Sequence, residues 1–354
     1  MRISSLFKDK AYSFQDQINP DDDNKFALEI LKKFKPRLKP KNIRLLSIHD
    51  DFDFFLLENE KNENLSLKIS LSDEDDVLKK EVTALKSCKC DRIPNFVDYG
   101  EVKIGETITC LLSKVPPAES IRNQGRGIIF EDIEDFRDAY CKVFDEKRVK
   151  NTYKNVISNF TKHIDPSSFL PSGSLKAFKS YTDYNRCSDL LSELERDILT
   201  RTKNVESNLK FKCHSSISLD SVFYGSCGFY FDFLSNVCMG HPFLDLSDLI
   251  LEIGLKSHDD KRFILMFCDL LSISFDESLF NEIYHLQLRK KLTELLTNYI
   301  KEIYLYDAFR YEKIFYIADT FSHAYDRFCS IPVFKENRDF IMKTICEPIF
   351  GVKA

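Results

Sequence analysis

The chain has 354 residues, 43% hydrophobic and 30% charged, which suits a globular core in one large or two modest domains. Its 51 Lys and Arg against 56 Asp and Glu give a net charge of −5, so capture of nucleic acid by overall charge is not expected. The longest apolar runs are far short of a membrane span, and Met1 to Phe7 lacks the apolar core of a leader, so neither a membrane partner nor export is expected.

Eleven cysteines, an odd number without framework spacing, predict free thiols in a reducing, cytoplasmic setting. Cys88-Lys89-Cys90 has no second pair at zinc spacing and reads as ordinary thiols. Glycine is scarce at 10 residues, which bears on any loop that must cradle phosphate.

In chain order, residues 1–40 read as a helical N-terminal extension, and the basic run Lys32, Lys33, Lys35, Arg37, Lys39 and Lys41 at its end reads as a solvated face ahead of a contact with an acidic partner or nucleic acid. Strands follow at Ile43 to Ile48, Phe52 to Glu58 and Leu65 to Leu71, joined by two hairpin connections. Ser72-Asp73-Glu74-Asp75 predicts a capped helix start with acids over the first turn. Val77, Leu78, Val82 and Leu85 form that helix's apolar face. Two more strands are expected around 98–104 and 107–114 before Val115-Pro116-Pro117-Ala118 breaks the pattern. Beyond it, helices are predicted over 130–148, 150–163, 183–206, 244–254, 261–271, 276–304, 312–328 and 336–347, with loop and strand residues returning at 211–235.

This order is that of a protein kinase-like fold, and several stretches resemble the aminoglycoside phosphotransferase and choline kinase family. They are Leu67-Lys68-Ile69 with Glu81 in the next helix, Ile93-Pro94-Asn95-Phe96-Val97-Asp98-Tyr99-Gly100, the hinge-like run from Thr109 to Ile121, and the segment from Cys213 to Asp248. The resemblance covers roughly 43–121 and 183–250. It implies an α+β, bilobal architecture: an N-lobe over 41–117 with a small five-stranded antiparallel sheet and one helix, and a mainly helical C-lobe over 118–354.

It also implies ATP bound between the lobes with magnesium. Lys68 would contact the phosphates, Glu81 would aim it, and Leu112, Ser113 and Lys114 would present backbone to the adenine. Asp232 would hold the metal, and Asp245 would brace the catalytic loop.

The catalytic loop departs from the family pattern. Ser216 stands in the place of the proton-accepting aspartate, a role worth about 100- to 10,000-fold in rate. Ser221 replaces the metal-side asparagine, a milder change because hydroxyls can ligate magnesium. The turn from Ser47 to Asp53 carries three carboxylates and no glycine where phosphate should approach. His214 and His241 read as structural loop and helix-start residues, and Cys213 with His214 as no catalytic pair, since neighbours on a strand face opposite ways.

The expectation is therefore a pseudokinase that binds a nucleotide, a small molecule or a protein partner with little or no phosphoryl transfer, ATP and magnesium being weakened or lost. The alternative is an active ATP-dependent small-molecule kinase in which Asp220 replaces the missing base; transfer of a nucleotidyl group is a third reading. Aromatics from Phe309 to Tyr325 read as core or as an amine cage.

Overall fold

Leu65-Ser66-Leu67-Lys68-Ile69-Ser70 alternates apolar and polar residues, so a strand here sends its leucines and isoleucine one way and Lys68 the other. In the computed structural model, which describes residues 20–48, 52–70, 76–88, 90–124, 132–144, 149–162, 164, 182–253 and 259–305, that is the arrangement found. The chain runs α1 (Pro20–Phe34), β1 (Pro40–Ile48), β2 (Asp53–Asn59), β3 (Asn64–Ser70), α2 (Val77–Ser87), β4 (Asn95–Ile104), β5 (Glu106–Lys114) and β6 (Ala118–Ser120). It continues through α3 (Ile121–Gln124), α4 (Ile133–Phe144), α5 (Tyr153–Lys162), α6 (Thr182–Val205), β7 (Phe211–Cys213), β8 (Val222–Gly225) and β9 (Gly228–Phe231). The described chain closes with β10 (Cys238–Gly240), α7 (Pro242–Ile253), α8 (Asp259–Leu270) and α9 (Glu277–Leu305).

Two compact units emerge. One contains residues of 1–143 and 220–236, the other residues of 144–219 and 237–354. The first is built on a five-stranded antiparallel sheet in the order β1-β2-β3-β5-β4. Phe26, Ala27, Ile30 and Leu31 of α1 pack on Leu65, Leu67 and Ile69 of β3, with Phe55, Leu57, Ile108 and Leu112 in the same core. The N-terminal helix thus covers a sheet face that would otherwise meet water. Its basic residues stay outside the core: Lys35 pairs with Asp98, and Lys33 reaches the carbonyl of Lys103 at 3.5 Å.

Among the described residues α2 starts at Val77. Asp76 is the N-cap, at φ 54° and without a side-chain cap hydrogen bond, and no acid lies in the first turn. The hairpin β8–β9 also belongs to this unit and pairs with β6.

The second unit is mainly helical, α5 to α9, with the two-stranded pair β7–β10. Its helices match the predicted ones to within a few residues. The helices expected at 312–328 and 336–347, the aromatics of 309–325, the segment 72–75 and His49 to Asp51 of the acidic turn lie outside the described residues.

Candidate functional site

The polar face of β3 puts Lys68 at the register of Phe54 on β2 and Leu111 on β5. Glu81 projects from the buried side of α2, and Asp232 follows β9 directly. The Lys68 Nζ donates to Glu81 Oε1 at 2.5 Å and to Asp232 Oδ1 at 2.6 Å. All three side chains are sealed, at 2%, 0% and 1% exposure.

Three phenylalanines close the box around the ammonium. Its nitrogen lies 4.4 Å from the ring of Phe233, 5.4 Å from Phe52 and 5.5 Å from Phe54. Phe233 holds this position with φ 58°, a left-handed conformation unusual for a bulky residue. Its N–H donates to Asp232 Oδ1 at 2.7 Å, and the N–H of Asp232 donates to the Ser221 carbonyl at 2.9 Å. Ser221 is fully buried and contributes its backbone to fixing Asp232.

The electrostatics follow from counting charges in a dry space. Burial works to lower the Lys68 pKa, but Asp232 and Glu81 together outweigh it and hold the lysine above its ordinary value. One ammonium compensates one carboxylate, and the second is in excess. Burial, together with the charge of Asp232, accordingly pushes Glu81 up to about 7 against the pull of Lys68. Glu81 Oε2 and the hydroxyl of Tyr230 are both buried without a hydrogen-bond partner.

A magnesium ion held by Asp232, as the resemblance implies, would share that carboxylate with Lys68. Asp232 Oδ1 already accepts from the ammonium of Lys68 and from the Phe233 N–H. Among the described residues no group of three or more His, Cys, Asp and Glu side chains is set to hold an ion, Cys88 and Cys90 included.

Leu112, Ser113 and Lys114 lie on β5 between β3 and β4, so the sheet takes their backbone groups on both edges. Leu112 points into the α1 core, and Lys114 bonds Glu63 at 2.6 Å on the surface. Asp220 is held elsewhere in the same unit: both its oxygens accept from Arg122 Nε at 2.8 Å.

In the helical unit the loop after β7 is braced as the resemblance implied. Asp245, fully buried in the first turn of α7, accepts the His214 N–H at 2.8 Å and the Ser215 N–H at 2.6 Å. This clamp fixes Ser215 at φ 63° and sets the direction of Ser216. The Ser216 hydroxyl donates to the Ser215 carbonyl at 2.8 Å and accepts from Lys290 of α9 at 3.2 Å. No pattern in the sequence pointed to Lys290, because its role depends on a contact between residues 74 positions apart.

His241 caps α7, its Nδ1 accepting the Phe243 N–H at 3.1 Å, and burial lowers its pKa to about 4. Cys213 pairs across the strands with Cys238, and burial pushes its thiol well above the ordinary range, so it is no nucleophile.

Solved structures share this architecture at low identity. An amicoumacin kinase in complex with AMP-PNP, Ca2+ and Ami superposes with a TM-score of 0.56 at 11% identity, covering 89% of this chain and 97% of that one. A spectinomycin phosphotransferase with ADP and spectinomycin gives 0.52 at 13%, covering 91% and 98%. An aminoglycoside phosphotransferase from Streptomyces rimosus gives 0.52 at 16%, covering 75% and 98%. The chain has the α+β protein kinase-like fold of the aminoglycoside phosphotransferases. No family model and no curated protein sequence matches it.

Proposed function

We propose that this kinase-fold chain is a pseudokinase, a phosphotransferase-like protein that transfers little or no phosphate. The observation that carries the reading is the closed Lys68–Asp232 pair. The lysine that would meet phosphate and the carboxylate that would meet metal are bonded to each other under a phenylalanine lid. A phosphate could take Lys68 only by stripping it from two buried carboxylates, which would then be uncompensated.

The loop supports the same reading. A serine hydroxyl held by an ammonium is a poor proton acceptor at neutral pH, and it stands where a general base belongs. Asp220, the substitute base, has both oxygens engaged by Arg122. ATP and magnesium therefore bind weakly or not at all, and the useful partner is a small molecule or a protein rather than a nucleotide undergoing turnover. Cytoplasmic residence with reduced thiols belongs to the same proposal.

A thermal-shift titration with ATP, with and without magnesium, tests the binding half. A preserved pocket stabilises the fold by mass action once ligand exceeds its dissociation constant. The expected result is a midpoint that does not move up to millimolar ATP and is indifferent to magnesium. A magnesium-dependent rise of several degrees would contradict the closed box.

A further inference from the structure

Cys213 of β7 and Cys238 of β10 are register partners in their antiparallel pair, and both are thiols at 0% exposure. Directly opposed residues of antiparallel strands have Cα atoms about 4.5–5.5 Å apart, inside the roughly 4.4–6.8 Å that a disulfide spans. Strand alternation puts both side chains on the face of the ladder that Gly240 shares. A side-chain carbon on Gly240 would lie 2.4 Å from the Cys213 sulfur and 3.7 Å from the Cys238 sulfur. The missing side chain thus leaves the hollow in which the two sulfurs gather, and the Cys238 thiol is a hydrogen-bond neighbour of the Cys213 thiol. Among the described residues no other two cysteines are register partners in a ladder.

Burial shields this pair, but the ladder around it is slight. β7 and β10 have three residues each. β10 is also held on its other side, where the Asn151 carbonyl accepts the Met239 N–H at 2.9 Å and the Asn151 amide donates to the Val237 carbonyl at 3.2 Å. β7 is the edge strand, and Phe211 at its start is 44% exposed. A short edge strand opens locally at far less cost than the whole fold. Opening returns both sulfurs to water, where burial no longer holds Cys213 as a thiol.

We propose that Cys213 and Cys238 form a reversible disulfide, a modification site whose oxidant is a small-molecule disulfide such as oxidised glutathione. One cysteine, as its thiolate, attacks a sulfur of the oxidant and expels one small thiolate, which takes up the proton that the cysteine released. The second cysteine thiolate attacks the protein-bound sulfur of this mixed disulfide. The protein S–S bond forms, and the second small thiolate leaves and is protonated in the same way. Two protein thiols are oxidised and one small disulfide is reduced to two thiols. Reclosure of the ladder brings the second sulfur onto the first, which favours this intramolecular step. The bond joins the strand that enters the His214–Ser216 loop to the strand that leads into α7, whose Asp245 holds that loop. Oxidation therefore locks the clamp, and a reducing setting releases it. Every residue involved lies in the helical unit, so the assignment rests on neither nucleotide binding nor its loss.

The test equilibrates the native full chain in glutathione buffers of stepped oxidised fraction, blocks remaining thiols by alkylation and maps the digest by mass spectrometry. A peptide linked through Cys213 and Cys238 is expected at least about tenfold above any other cysteine pair, and dithiothreitol should remove it. Hydrogen exchange at the His214 and Ser215 amides, both donors to Asp245, is expected to slow about tenfold or more on oxidation of the wild type, and to stay unchanged in Cys238→Ala. Should Cys238→Ala fail to fold, Cys213→Ala takes its place, and the map of the wild type stands without either. The proposal is overturned if the linked peptide is missing from the native chain, if it forms only after urea unfolding, if other pairs form as readily, or if exchange at the clamp is the same in oxidised and reduced chain.

Discussion

One ammonium faces two carboxylates in a space closed to water, and this imbalance at Lys68 makes the site sensitive to single substitutions. Lys68→Met would leave Asp232 and Glu81 buried without a cation, a loss of about 3–5 kcal/mol in stability at pH 7. Urea unfolding checks this, and a change under about 1 kcal/mol would show that the box is not sealed. Neutralising both acids in the same chain, as Lys68→Met with Glu81→Gln and Asp232→Asn, should recover most of the loss. The excess charge also dictates a pH dependence. Glu81 has a folded pKa of about 7, above its ordinary 4.5, so the native state holds a proton that the unfolded state has released. Its contribution is complete below pH 4.5 and disappears as pH rises through 7, an effect on the order of 3 kcal/mol. Comparison of wild type with Glu81→Gln across pH 5–8 should show the downward slope in the first and its loss in the second.

At the scale of elements, the hairpin β8–β9 and the helix start at Asp245 place the groups that the resemblance singled out. Gly228 opens β9 at φ 81°, and a side-chain carbon there would run into the Asp135 carboxylate and Arg92. Arg92 bonds Asp135 at 3.1 Å and the Phe229 carbonyl at 3.1 Å, which ties the hairpin to α4. Gly228→Ala is therefore expected to cost about 1–3 kcal/mol through both backbone and contact, measurable as a lower urea midpoint. Asp245→Asn should cost about the same, because an amide offers one acceptor oxygen to the two N–H groups of His214 and Ser215. These devices were legible in part. The alternation in β3 and the acids before Val77 indicated a strand and a helix in the right order. The left-handed N-cap of that helix, Asp76, was not legible. Backbone handedness at a single non-glycine residue leaves no periodic trace in a sequence.

For the molecule as a whole, the order of elements was readable because strands and helices carry different periods, and the kinase-like arrangement follows from that order. Lys68, Glu81 and Asp232 were singled out through the resemblance their stretches bear to the family. That the lysine would bond both acids under Phe52, Phe54 and Phe233 was not readable, because the phenylalanines come from β2, its preceding loop and a left-handed position after β9. Lys290 was equally hidden, a lysine among others on a long helix until the fold brings it to Ser216. The fold is the one shared with aminoglycoside phosphotransferases, and within it Lys68 is bonded to both Glu81 and Asp232. The most direct measurement is magnesium-dependent ATP consumption by the purified chain, wild type beside Asp232→Ala. No turnover above the protein-free rate is expected in either, whereas turnover in the wild type that Asp232→Ala abolishes would contradict the account.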